Sequence, residues 1–297
     1  MPYYPQNATG LNYITYPVGP TTGGILTTSG SANTKGSYTQ IVASSTFQSN
    51  AAFVNLIALL PSASAPGNNL LDIATGAGGS EVVVVPNIMF EMDSATSGTA
   101  LFSKGSFTAP LGIASSTRIA ARSQSSSSTI QVEFSLTLVA AGGVSGITTF
   151  TNDGANTGTS GGVSIDPGGT ANTKGAYSQI TASTTAVAQW IAVLLIHGST
   201  TATSARWMVD LATGAAASEV VLIPDLAPSL GDTSNNVTFG AGAWPFLTYI
   251  ASSTRIAARA SCSTNAATSR LLQAAVLSAV APAEPSGVMM SRVFAGA

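Results

Sequence analysis

The chain has 297 residues, ten Lys+Arg against twelve Asp+Glu and one His, so its net charge is -2 and only 7% of its residues are charged, where an ordinary soluble domain has about 25%. With 45% hydrophobic residues and a mean hydropathy of +0.35, it lacks the composition of a disordered chain, and its length suits about two domains. Ten scattered cations supply no phosphate-binding stripe, which argues against nucleic acid as a partner.

The N-terminal sequence MPYYPQNATG has neither a basic region nor an apolar run, so no secretory signal is expected. Residues 1–28 carry no charge, since the first cation is Lys35. They hold Tyr3, Tyr4, Tyr13 and Tyr16 among Pro2, Pro5, Pro17 and Pro20. Proline pre-extends such a segment, and tyrosine offers a flat apolar face with a polar tip, so residues 1–28 read as a docking arm with these tyrosines as partner-binding residues.

A repeat follows. Ala32-Asn33-Thr34-Lys35-Gly36-Ser37-Tyr38 returns from Ala171 to Tyr177. Asp72-Ile73-Ala74-Thr75-Gly76-Ala77 and Ser80-Glu81-Val82-Val83-Val84-Val85-Pro86 return from Asp210 and from Ser218. Ala114 to Arg122 returns from Ala251 to Arg259. Three blocks in the same order, at nearly constant separation, predict a duplicated domain with copies at 29–140 and 168–281. Residues 141–167, rich in Gly, Thr, Ser and Asn, read as a linker that lets the copies move as separate bodies, and 282–297 as a C-terminal tail.

Within each copy the apolar runs are short and bounded by Gly/Ser/Asn clusters. Asp72 to Pro86 reads as a hairpin whose second strand ends at a proline that cannot donate to a ladder. The expected fold is all-β: two tandem jelly-roll-like β-sandwich domains from an internal duplication. Helix is the alternative over 187–196 and 270–280, where Ala and Leu raise helix propensity. These apolar windows are too short to span a bilayer and are interrupted by Gln189, Gln273 and Ser278, so no membrane partner is expected.

Ten of the charged residues recur as five pairs, Lys35/Lys174, Asp72/Asp210, Glu81/Glu219, Arg118/Arg255 and Arg122/Arg259. They read as structural ion pairs, with a Ca²⁺ site between Asp72 and Glu81 as the alternative. On a strand Arg118 and Arg122 share a face but stand ~13 Å apart, so each needs its own acid. His197 has a leucine at the matching place in the first copy, and no nucleophile elbow or phosphate loop is present. Cys262 is the lone cysteine, which excludes an internal disulfide framework and a multi-thiolate zinc site, and among its small polar sequence neighbours it reads as a packing residue. The expectation is therefore no enzyme, no catalytic residue, no metal and no cofactor. All three tryptophans fall in the second copy. Trp190 reads as core, while Trp207 and Trp244 are candidates for stacking on sugar rings.

The A-N-T-K-G-x-Y block, the D-x-A-T-G-A-x-x-S-E-V-V-x-x-P hairpin and the S-T-R-I-A-A-R strand together resemble β-sandwich virion structural proteins of tailed bacteriophages. The resemblance covers both copies and implies a virion protein on the particle exterior, a capsid decoration or cement protein whose partners are capsid or tail proteins. Such proteins are often homo-oligomers, trimers among them, held by terminal arms. The alternative it leaves is a tail fibre or baseplate protein that binds a receptor or glycan.

Overall fold

The computed structural model describes residues 12–16, 24–58, 67–92, 103–140, 146–197, 205–230, 242–263 and 272–280. The first half carries β1 (Asn12–Tyr16), β2 (Gly24–Thr27), β3 (Thr39–Val42), β4 (Ala51–Ala58), β5 (Gly67–Thr75), β6 (Val82–Met92), β7 (Ser103–Ala109), β8 (Ile119–Ser125) and β9 (Gln131–Ala140). The second carries β10 (Phe150–Asp153), β11 (Val163–Ile165), β12 (Ser178–Thr181), β13 (Ala188–His197), β14 (Ala205–Thr213), β15 (Val220–Leu226), β16 (Ser229–Leu230), β17 (Gly242–Ile250), β18 (Ile256–Cys262) and β19 (Leu272–Val280). The described residues are all-β, without a helix, and the named strands pair antiparallel.

Each half has two sheets. In the first the strand orders are β1-β9-β4-β7, with β2 also on β9, and β3-β8-β5-β6. In the second they are β10-β19-β13-β17, with β11 also on β19, and β12-β18-β14-β15, with β16 on β14. The same order therefore occurs twice. Residues with positive φ recur in step, as in Asn33 and Asn172, Asn87 and Asp225, Ser116 and Ser253, Gly76 and Gly214.

Two sequence expectations are corrected here. Residues 12–16 and 24–27 are not a free arm, because they pair with β9 and bury Ile14, Tyr16 and Leu26 in the core. Likewise residues 146–167, the described part of the stretch 141–167, are not a linker between independent bodies. They supply β10 and β11, which pair with β19 as β1 and β2 pair with β9. β1 alternates buried Ile14 and Tyr16 with exposed Tyr13 and Thr15, but over too few residues to stand out in the sequence, and β10 buries only Phe150. These strands are held by backbone hydrogen bonds, which almost any residue can make.

Burial explains why β13 and β19 carry no period-2 signal. Ile191, Val193, Leu195, Ala274 and Val276 share a core with Trp207, Val209 and Leu211 of β14. Trp190, Ala192, Leu194, Ile196, Ala275, Leu277 and Ala279, at the intervening positions, join the core of the first half. At β13 and β19 the β10-β19-β13-β17 sheet is thus covered on both faces, and such strands read as continuous apolar runs rather than helices. In β9, by contrast, Val132, Leu136 and Leu138 are buried, whereas Gln131, Ser135, Thr137 and Val139 are partly exposed.

The halves pack directly, β10 and β13 on β6 and β17 beside β7. Where the chain crosses between them, Ile147 bridges Leu111, and Gly112 and Gly146 touch backbone to backbone. A Cβ on Gly112 would stand 2.6 Å from the Gly146 carbonyl oxygen.

The hairpin β5–β6 forms, but its second strand does not end at Pro86. It runs on through a bulge at Asn87 to Met92, and β15 likewise passes through Pro224 to Leu226. Both are outer strands of their sheets, so a proline without an N–H removes no ladder bond on the solvent side.

Candidate functional site

Asp72 in β5 lies opposite Arg122 in β8, and Asp210 in β14 lies opposite Arg259 in β18. Each carboxylate, nearly fully buried, receives three donors. Lys35 Nζ donates to Asp72 at 2.8 Å, the Asn87 backbone N–H at 2.9 Å and Arg122 Nε at 3.0 Å. Asp210 receives Lys174 Nζ, the Asp225 backbone N–H at 3.0 Å and Arg259 Nε at 2.9 Å. The left-handed residue after each proline therefore has a purpose: it turns an N–H inward onto the aspartate. One buried carboxylate thus ties three strands and a loop lysine together, and such charge-assisted bonds are the stronger kind.

A second pair lies at the hairpin tip. Arg118 Nη1 donates to Glu81 at 3.0 Å and to the Gly76 carbonyl at 3.0 Å, and its Nε donates to Gln40 at 2.9 Å. Arg255 repeats this with Glu219 at 2.9 Å, the Gly214 carbonyl at 3.0 Å and Gln179 at 3.0 Å. Asp72 and Glu81 each meet their own arginine and do not form one site. Among the described residues no three His, Cys, Asp or Glu side chains come together as metal ligands.

The electrostatics follow the contacts. Burial alone would raise the Asp210 pKa, but the Asp225 N–H, Lys174 and Arg259 outweigh it and hold the carboxyl below its usual range. Glu219 is likewise lowered against desolvation, by its own backbone N–H and by Arg255. Glu81 is lowered first by its own backbone N–H and then, against desolvation, by Arg118. Lys35 moves down, because burial outweighs the pull of Asp72.

Tyr38 and Tyr177 lie beneath the arginines, with Arg122 4.5 Å from one ring centroid and Arg259 4.6 Å from the other. A guanidinium over a tyrosine face at this distance is a cation–π contact. These two tyrosines were missed as site residues, although the repeated block that ends in them was the available signal. Gln40 and Gln179 were missed as well, although Tyr38-Thr39-Gln40-Ile41 returns as Tyr177-Ser178-Gln179-Ile180 and extends the same block.

Around the first cluster is a crevice of about 490 Å³, walled by Asn33, Lys35, Asp72, Asn87, Arg122 and Gln124 and closed by Thr157 of the second half. A second crevice, about 360 Å³ and apolar, lies at the junction between Ala109, Pro110, Trp190, Phe246 and Leu247.

Of the predicted partner-binding tyrosines, Tyr3 and Tyr4 lie outside the described residues. Tyr13 is exposed on β1. Tyr16 is not available to a partner: it is buried, and its hydroxyl accepts the Thr46 backbone N–H at 3.2 Å. Trp207, 2% exposed, cannot stack on a sugar, because the apolar ring packs into the second core, and its indole N–H finds no acceptor there. Trp244 is half-buried against the same core. Cys262 is buried in β18.

No protein family and no curated protein matches the chain. Three solved structures are among those similar to it. One is a peptide-N(4)-(N-acetyl-β-D-glucosaminyl) asparagine amidase, at 10% identity and TM-score 0.42, covering 92% of this chain and 98% of that one. Another is PNGase F, a glycosylasparaginase from Flavobacterium meningosepticum, at 10% identity and TM-score 0.39, covering 91% and 96%. The third is PNGF-II, at 8% identity and TM-score 0.40, with 93% of this chain covering 66% of that one.

The expectation that the chain is not an enzyme is corrected by these structures, two of which carry the names of enzymes. Short motifs cannot exclude catalysis on a fold where reacting groups are brought together from separate strands. Likeness at this level assigns no activity and no residue role to this chain.

Proposed function

We propose that this chain is a structural protein of a tailed-bacteriophage virion, two tandem jelly-roll domains descended from an internal duplication, set on the particle exterior as a capsid decoration or cement protein. The observation that carries the reading is the twofold charged framework. The five recurring charged pairs occupy the same places in both halves, and each engages strands or loops of its own half. The strand orders β1-β9-β4-β7 with β3-β8-β5-β6, and their repeat, have the connectivity of a jelly roll, an architecture widespread in capsid proteins. The resemblance in the three repeated blocks supplies the particle.

A low-charge surface rich in Ser, Thr, Ala and Gly suits a subunit that works packed among others. Trp207 is withdrawn as a sugar platform, which removes half the basis for a glycan-binding tail protein. The test is quantitative mass spectrometry of purified particles of the phage that encodes the chain. A copy number of the same order as the major capsid protein is expected. Absence from particles would overturn the reading.

A further inference from the structure

The contact between the halves is not symmetric. The first half offers the outer face of its β3-β8-β5-β6 sheet, and the second offers β10, the turn after it and the far side of β13 and β19. Asn152 Nδ2 donates to the Asn87 carbonyl at 2.7 Å. Gln124 Nε2 donates to the Thr157 carbonyl at 2.8 Å and to Ser160 Oγ at 2.9 Å, and Ser160 Oγ donates to Asn33 at 2.8 Å. Leu70, Met89 and Phe90 share one core cluster with Phe150, Trp190 and Leu277.

Because the strand order repeats, the described part of each face has a counterpart in the other half that the contact between the halves does not use. Leu70 lies opposite Gln124, two residues before the Asp72–Arg122 pair, and Met208 lies opposite Ser261, two before Asp210–Arg259. Leu70 is 0% exposed beneath the second half, whereas Met208 is 42% exposed. Beside Met208, Arg206 and Asp225 are exposed too, whereas Asn87, at the place of Asp225, is partly buried and its carbonyl accepts from Asn152 of the second half. The mirror situation holds for the other face. Phe150, opposite Ala279, is 4% exposed, while Tyr13, opposite Val139 at the corresponding place on β1, is 46% exposed, with Thr15 exposed beyond it. Three of the corresponding positions are more polar on the unused faces: Phe150 becomes Tyr13, Asn87 becomes Asp225 and Asn68 becomes Arg206. Such changes suit surfaces that meet water before they meet each other.

We propose that the two unused faces are the two sides of an interface between copies of this chain. The β1 side of one copy, with Tyr13 and Thr15, seats on the β14–β15 face of the next, with Arg206, Met208 and Asp225. This repeats between chains the contact already made within one. The occupant is a second copy because the half that fills the equivalent face is itself a copy of the half left over. A contact of this head-to-tail kind closes into a ring when its rotation divides a full turn and otherwise grows as a filament. It holds whether or not the chain belongs to a virion.

The test is light-scattering mass measurement of the full chain over a concentration series, with Tyr13→Lys and Met208→Lys. Both positions are exposed, so unchanged circular dichroism and melting temperature are the folding controls. The parent chain is expected to form species larger than a dimer, and each variant alone to fall to 29.6 kDa. A one-to-one mixture should give a species of twice that mass and nothing larger, because each variant keeps the face that the other has lost. A parent that stays monomeric, variants that leave the assembly intact, or a mixture that stays monomeric would each overturn the proposal. Should either lysine variant misfold, Thr15→Lys with Arg206→Glu repeats the test.

Discussion

Asn87 and Asp225 occupy the same bulge with the same left-handed backbone, φ 51° and 50°, and each gives its N–H to a buried aspartate. Only Asp225 also offers a side-chain carboxylate, which Lys174 reaches at 2.8 Å. Lys35 has instead the Leu70 carbonyl at 3.4 Å.

This difference predicts unequal costs for the same substitution. Asp72→Asn leaves Lys35 and Arg122 facing a neutral group and should destabilise by about 3 kcal/mol, the usual cost of stripping one partner from a buried pair. Asp210→Asn should cost less, since Lys174 keeps Asp225. Urea denaturation of both variants against the parent decides it, and equal midpoints would refute the argument.

Acid should weaken the fold through the same groups. The folded pKa values of Asp210, Glu219 and Glu81 lie below their ordinary values, so the folded state binds fewer protons than the unfolded one. Their contribution is fully present above the unfolded carboxylate pKa and is lost as pH falls through the lowered folded values. The urea midpoint is expected to drop between about pH 5 and pH 3, and Asp210→Asn to remove part of that drop.

Cooperativity follows from the shared core. Since Trp190, Leu194 and Leu277 of the second half are buried with Leu70, Met89 and Phe90 of the first, calorimetry should show one transition rather than two. Gly112→Ala should lower its temperature, because the new methyl meets the Gly146 carbonyl, at a cost of about 1–3 kcal/mol.

Removal of residues 1–28 should damage the fold rather than only a docking function. It takes β1 and β2 from β9 and Ile14, Tyr16 and Leu26 from the core, each worth about 1.5–3 kcal/mol of burial. The melting temperature of the truncated chain is the measurement. An unchanged value would contradict the pairing.

Fluorescence separates the tryptophans. Acrylamide should quench Trp244 and leave Trp190 and Trp207 shielded. Replacement of Trp207 by Phe should destabilise through the space left in the second core and not through a lost hydrogen bond, because its buried N–H has no acceptor.

The amino-acid sequence by itself determined the β class, the twofold repeat and which charges matter. Short apolar runs between glycine clusters admit few other folds, and buried charges recur only where a partner recurs with them. Arg118 and Arg122, four residues apart on one strand, could be assigned separate acids from strand spacing alone, and they meet Glu81 and Asp72. What only the tertiary structure decided lies where pairing is made by backbone atoms or where a face is covered from outside. Phe150 to Asp153 and Val163 to Ile165 are strands because β19 offers them a row of carbonyls and amides, which no side-chain pattern announces. β9 and β19 occupy the same place in their sheets, yet β9 alternates and β19 does not. The alternation reports how many faces are buried, but only the packing of one half on the other says by what.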